Sequence, residues 1–195
     1  WETKGIDADG DRVVDFTLPD ADPKRKNLYL EIDVMTGQAI AQASLDAIAQ
    51  AFFAAPVDNP DGSTGIDLTI LVDDTNVPDR PNWQTDISGW PDDYDEVRDA
   101  WFGTQAERDD PKSVAVLAAK ALAYRYCLGT STLDDGSLGT AFDAPADDLL
   151  AEVGESPDQV LEIEHLGAAA VQRYHVAAER ALERREAVQL IAHHV

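Results

Sequence analysis

The sequence predicts an α+β domain, or an α/β one, in which strands and helices are interleaved. Apolar residues at every second position predict strands over 27–35 and 66–72. An apolar stripe at helical spacing predicts a helix over 39–55 between these strands, ended by Pro56. Because no internal repeat interrupts this order, one layered domain follows.

An acidic run near the start of the chain has the composition of a cation loop. Carboxylates stand at Asp7, Asp9, Asp11 and Asp15, with Gly10 between them. Ca²⁺ takes about six to eight oxygen ligands, and closely spaced aspartates supply them. We predict a calcium loop whose ligands are side-chain oxygens and one backbone carbonyl, from Asp7, Asp9, Asp11, Val13 and Asp15. The alternative is a solvated acidic turn in a chain that is acidic throughout.

Two further groups of acidic residues could contact either solvent or a bound cation. In the strand over 27–35, Glu31 and Asp33 alternate with the apolar face and must meet either water or a cation, because an unpaired buried carboxylate is unfavourable. We expect water. The turn formed by residues 58–65 could hold a second ion through Asp58, Asn59 and Asp61, but a simple tight turn is the expected explanation.

Later segments alternate between helix, strand and loop. Pro111 suits the first position of a helix that includes residues 114–121, and periodicity does not decide between helix and strand for 122–128. The remaining assignments are a long loop over 73–91, a short helix over 94–102, an edge strand near 138–142, a strand within 147–153 and helix from 156 to 195. We therefore divide the chain into a calcium loop with linker (1–26), an α/β domain (27–155) and a helical region (156–195).

Composition excludes some partners and suggests an environment. The formal net charge of −23 would repel the phosphates of nucleic acid, so nucleic-acid binding is excluded. The excess of carboxylates resembles that of halophile proteins, in which molar salt screens surface charge. A single cysteine, Cys127, allows no internal disulfide, and no apolar stretch is long enough to span a membrane. No signal peptide is present, and since the chain starts at Trp1 inside a motif, we expect a processed or truncated fragment.

Four short motifs occur in order along the chain: WETKGIDADGD from Trp1, LYLEIDVM from Leu28, APVDNPDGSTGI from Ala55 and AKALAYRY from Ala119. Together they resemble the front part of secreted zincin-like metallopeptidase proteins of bacteria and haloarchaea. The opening loop also resembles the thrombospondin type 3 calcium repeat, in which the position of Arg12 is usually Gly. The resemblance implies a zincin-like mixed sheet with packed helices, an extracellular or cell-surface location, bound Ca²⁺, and a protein or peptide substrate.

The catalytic signature of that family, HExxH on a helix, is absent from this chain. In the signature, two histidines bind Zn²⁺ and the Glu between them acts as general base. The resemblance places His193 at the first zinc ligand and His194 where the Glu belongs, so the chain as written cannot form the site. His175 and Glu179 share a helix face and could bind a metal, but an exposed helical histidine is the expected outcome.

Three functional hypotheses remain open. The first is the leading part of a calcium-stabilised, zincin-like metallopeptidase of a halophile, inactive as this fragment, with Zn²⁺ bound only if a longer protein completes the motif. The second is a pseudoenzyme, a structural or binding protein of a cell surface, surface layer or virion that keeps the scaffold. The third is an unrelated extracellular calcium-binding module.

Overall fold

A five-stranded mixed sheet forms the centre of the fold. The structure, a computed structural model, describes residues 1–79, 90–130, 139–141 and 149–152. The strand order across the sheet is β2-β1-β3-β5-β4. β1, β2, β3 and β5 run parallel, and β4 is antiparallel to β5. The strands are β1 (Lys26–Val34), β2 (Ile66–Val72), β3 (Tyr124–Thr130), β4 (Gly139–Ala141) and β5 (Leu149–Glu152).

Helices lie on the connections from β1 to β2 and from β2 to β3, since parallel strands need a crossover. α1 (Gln42–Phe53) joins β1 to β2. A longer path joins β2 to β3 on the other side of β1, through α2 (Trp90–Trp101), α3 (Gln105–Asp109), a 3₁₀ turn (Pro111–Ser113) and α4 (Val114–Ala121). β1 therefore lies between β2 and β3, and the chain passes from it first to one side and then to the other. No helix within the described ranges is long and apolar enough to cross a bilayer.

The two faces of β1 have different chemistry. Leu30, Ile32 and Val34 form one apolar cluster with Cys127, against which Ile40 and Leu45 pack. The opposite face carries Tyr29, Glu31 and Asp33, followed by Met35. There Met35, Tyr126 and Leu128 pack with Tyr94 and Val97 of α2. The second face therefore combines aromatic packing with two acidic side chains.

The N-terminal segment packs on the domain. Ile6 and Phe16 form an antiparallel bridge, and Ile6 is buried in a cluster with Leu18, Tyr29 and Tyr124. The Tyr29 hydroxyl donates a hydrogen bond of 2.9 Å to the Pro19 carbonyl. The acidic loop between Ile6 and Phe16 is thus held at both ends by core contacts.

Most predicted elements are confirmed, and the differences have local causes. The undecided segment 122–128 is strand from Tyr124 onward. The predicted loop over 73–91 is too long at its end, because α2 begins at Trp90 and Pro91 is tolerated in a first helical turn. The helix predicted over 39–55 is shorter, since Ala41 is extended and precedes the first turn. The region 156–195 lies outside the described residues.

We predict that Gly65→Ala destabilises the fold strongly. Gly65 has φ of +103°, and a Cβ there would overlap the carbonyl oxygen of Phe53 at the end of α1. Unfavourable φ contributes about 1–2 kcal/mol and overpacking a further 1–3 kcal/mol. Urea unfolding should therefore show a free energy of unfolding reduced by about 2–5 kcal/mol.

Gly62→Ala is the matched control for that substitution. Gly62 also has positive φ, +85°, but a Cβ there meets nothing within 4 Å. Only the cost of the unfavourable φ should remain, so the free energy of unfolding should fall by about 1–2 kcal/mol. Equal losses in the two variants would contradict the close approach of α1 to the start of β2.

Candidate cation sites

Three carboxylates converge in the N-terminal loop. Oxygens of Asp7, Asp9 and Asp15 lie within 4.8 Å of one another. Oxygens on opposite sides of a Ca²⁺ ion stand about 4.6–5.2 Å apart, because each Ca–O distance is about 2.3–2.6 Å. The donor set consists of hard oxygens, which Ca²⁺ prefers. The residues present therefore fit a calcium ion.

Backbone amides hold these carboxylates in place. Asp7 accepts from the N–H groups of Gly10 at 2.7 Å and Arg12 at 2.9 Å, and Asp15 accepts from Ala8 at 2.7 Å. Asp9 accepts from the Asp11 N–H at 3.0 Å. Each of these bonds shortens the turn and directs a carboxylate inward. Hydrogen bonds within the loop therefore hold its carboxylates in place without a bound ion.

The remaining predicted ligands, Asp11 and Val13, and the unusual Arg12 lie on the same part of this loop. Asp11 stands outside the group of three carboxylates, and its Oδ1 accepts from the Val13 N–H at 2.7 Å. The Val13 carbonyl stays a predicted ligand. Arg12 has φ of +74°, a conformation that favours Gly and costs about 1–2 kcal/mol for other residues. Arg12, at the position where the calcium repeat usually has Gly, therefore adopts the backbone conformation of a glycine at the cost of strain.

The second acidic turn is held together by its own hydrogen bonds. Asn59 is buried; its Oδ1 accepts from the Lys26 N–H at 2.9 Å and its Nδ2 donates to the Gly65 carbonyl at 2.9 Å. Asp61 Oδ1 accepts from both the amide and the hydroxyl of Ser63. Asp58 is exposed and forms a bridge with Thr64. These contacts support the tight-turn explanation and leave the second ion at Asp58, Asn59 and Asp61 a prediction.

The expectation that Glu31 and Asp33 face water is wrong. Both residues are 0% exposed, and their carboxylates are contacted by Gly103 after α2, by Lys120 of α4 and by Tyr126 of β3. The Gly103 N–H donates to Glu31 Oε1 at 2.5 Å, and the Tyr126 hydroxyl donates to Asp33 Oδ2 at 2.8 Å. Oxygens of Glu31, Asp33 and Asp73 lie within 4.8 Å of one another. A second carboxylate cluster therefore exists inside the domain.

Two basic residues border this buried cluster. Lys120 Nζ lies 2.8 Å from Glu107 Oε2 and 3.4 Å from Glu31 Oε2, with its side chain 3% exposed. Arg108 forms an ion pair of 2.7 Å with Asp74. Lys120 also lies over the rings of Phe102 and Tyr124, at 5.8 and 5.5 Å from their centroids. Lys120 therefore contacts the cluster through Glu31, and Arg108 pairs with Asp74, the residue after Asp73.

The pKa values of the buried carboxyls reflect this environment. Burial raises the pKa of Asp33 to about 8, and the neighbouring Asp73 adds to the increase while the Tyr126 hydroxyl opposes it. Burial also raises the pKa of Glu31, although the Gly103 N–H and Lys120 act in the other direction. For Glu107, burial acts to raise the pKa, but contacts with Lys120 and Thr104 outweigh it and leave the pKa lowered. In the absence of a cation, protonation of Asp33 is thus favoured near neutral pH.

Sequence reasoning located part of these sites. The spacing of the carboxylates at 7, 9, 11 and 15 predicts the acidic loop, whereas no pattern in the sequence marks Asp73 or Lys120 as a site residue. Asp73 directly follows β2, and its partner Asp33 is near the end of the neighbouring parallel strand, so edge proximity was the available signal. The histidines, His193 among them, lie outside the described residues. No family model matches the chain, and no curated protein matches it.

Proposed function

We propose that this chain is a calcium-binding scaffold of the zincin-like metallopeptidase type, acting outside the cell or at its surface. The observation that carries the proposal is the convergence of Asp7, Asp9 and Asp15 in a loop whose ends, Ile6 and Phe16, pack on the core. An ion in such a loop would fix the N-terminal segment against the sheet. Modest calcium affinity, with a Kd of about 10⁻⁴–10⁻³ M, is sufficient for extracellular modules.

Support for the zincin-like type comes from the order of elements. A mixed sheet with packed helices precedes the segment in which the family resemblance places His193. The four motifs that carry the resemblance fall on the N-terminal loop, on β1, on the turn before β2 and on the end of α4 with β3. The motifs therefore occupy structurally connected positions, because β1 pairs with both β2 and β3.

The residues of this chain do not complete a zinc centre. A catalytic zinc site takes about three protein ligands and a water. The sequence has His193 at the first predicted position, but His194 replaces the general base and no HExxH occurs. We therefore assign no step of peptide hydrolysis to these residues. Their proposed work is to bind calcium and to hold the sheet in a fixed arrangement.

A non-catalytic structural or binding role is the second candidate. The observation that favours it is the presence of His194 where the family has Glu, because an imidazole lacks the charge and reach of that base. In this alternative the scaffold would contact a protein of a surface layer or virion. Zinc analysis of the full-length protein separates the two candidates: about one Zn²⁺ that depends on His193 supports the metallopeptidase type, and calcium uptake alone supports the structural role.

Calorimetric titration with Ca²⁺ tests the loop. After chelation and dialysis, the double variant Asp9→Asn with Asp15→Asn should lose one of the bound equivalents of the parent, because each Asn keeps the shape but removes a negative ligand. Asp46→Asn on α1 is the matched control, since Asp46 is exposed and only accepts from Gln42. Unchanged stoichiometry in the double variant would contradict calcium binding by this loop.

A further inference from the structure

We propose that Glu31, Asp33 and Asp73 bind a hard divalent cation inside the domain, separate from the N-terminal loop. Glu31 and Asp33 lie on β1, and Asp73 directly follows β2. Their oxygens lie within 4.8 Å of one another, a spacing that spans opposite ligands of Ca²⁺ at about 4.6–5.2 Å. The cation would join the ends of two neighbouring strands.

Unsatisfied oxygens point to a missing partner. Both carboxylate oxygens of Asp73 are inaccessible to solvent and, in the part of the chain that the structure describes, accept no hydrogen bond from an amide, a hydroxyl or a basic side chain, so that only a protonated Asp33 could donate to them. The same holds for Oε2 of Glu31, a residue with 0% exposure, which has only the 3.4 Å ion pair with Lys120. A buried acceptor without a partner costs about 1–3 kcal/mol, and more when it is charged. A cation between these oxygens removes that cost.

The charges around the cluster do not balance. Oxygens of three carboxylates, Glu31, Asp33 and Asp73, lie within 4.8 Å of one another. Among the described residues only Lys120 forms an ion pair with any of the three, at 3.4 Å from Glu31, and it also pairs with Glu107 at 2.8 Å. Asp33 and Asp73 are left to face each other without a base, and a divalent cation offsets two negative charges.

The cation would also fix the path of the chain after β2. Val34 N–H donates to the Asp74 carbonyl at 2.8 Å, and Thr36 N–H donates to the Val77 carbonyl at 2.8 Å. Residues 73–77 therefore run alongside the end of β1, with Val77 fully buried. Ligation of Asp33 and Asp73 by one ion would hold this return segment against β1.

The test uses the variant that lacks the loop site, Asp9→Asn with Asp15→Asn. Calorimetric titration of this variant with Ca²⁺ should still show about one bound equivalent, and adding Asp73→Asn should abolish it. Tb³⁺ provides a second measurement, because the Tyr126 hydroxyl is 2.8 Å from Asp33 and can sensitise Tb³⁺ emission. That emission should persist in the loop variant and fall to background with Asp73→Asn.

Asp46→Asn in the same background is the control and should keep both signals. The rival explanation is a proton shared between Asp33 and Asp73. In that case the loop variant would bind no Ca²⁺, and Asp73→Asn would leave stability unchanged or raise it, because an Asn amide can donate to Asp33. Either finding overturns the proposal, as does Tb³⁺ emission that is insensitive to Asp73→Asn.

Discussion

Lys120→Met should lower the free energy of unfolding by about 3–5 kcal/mol, because removing one partner of a buried ion pair leaves an uncompensated charge. Lys120 lies between Glu31 and Glu107, and its side chain and that of Glu31 are 3% and 0% exposed. Met keeps the length and apolar character of the stem, so the change isolates the charge. Urea unfolding followed by circular dichroism measures the difference.

Two further variants establish the cause of that loss. Lys112→Met removes an exposed lysine beside the same helix and should change stability by no more than about 0.5 kcal/mol. Adding Glu31→Gln to Lys120→Met should restore part of the loss, because it removes the stranded negative charge. A decrease below about 1 kcal/mol for Lys120→Met, comparable to an exposed pair, would contradict the buried ion-pair network.

Chelation of divalent cations should lower the thermal midpoint, and the decrease should be larger at pH 8 than at pH 5. Each site filled at about 100 times its Kd contributes about 2.7 kcal/mol to stability, so two sites contribute roughly 5 kcal/mol. The pKa of Asp33 rises from its usual 3.8 to about 8 in the cation-free fold. Because the folded state then holds a proton that the unfolded state lacks, cation-free stability falls as pH rises from about 4 to 8. Scanning calorimetry of protein freed of metal by chelation and dialysis, with and without added Ca²⁺, measures the effect at both pH values.

The groups facing Asp33 define the control for this pH dependence. They are Tyr126 on β3, Asp73 after β2, and Glu31 on β1 with its partner Lys120 on α4. Asp33→Asn should remove most of the decline in the thermal midpoint of the metal-free protein between pH 5 and 8, since the titrating carboxyl is lost. A chelated parent whose midpoint is independent of pH in that range would show that Asp33 is not protonated in the cation-free fold.

The sheet could be predicted from sequence because its strands have local patterns. Alternating apolar residues mark β1 and β2, and the observed bounds, Lys26–Val34 and Ile66–Val72, differ from those predicted by at most one residue. The segment that became β3 was ambiguous because a short apolar run fits either a helix or a strand. Its pairing with β1, a contact distant in sequence, decides the outcome.

The buried cluster could not be predicted because its environment is set by distant elements. An acidic residue on one face of a strand normally indicates solvent, and the covering of Glu31 and Asp33 depends on helices that begin more than fifty residues later. Lys120 belongs to a motif that was recognised, but its two carboxylate partners come from β1 and α3. By contrast, the loop at Asp7–Asp15 was predictable, since all of its carboxylates lie within nine residues.

Native mass spectrometry of the chain with added Ca²⁺ tests most directly the claim that this is a calcium-stabilised scaffold. After removal of adventitious metal, the account predicts about two Ca²⁺ ions per chain, one lost with Asp9→Asn and Asp15→Asn and the other with Asp73→Asn. A chain that keeps its metal-free mass at millimolar Ca²⁺ would contradict it.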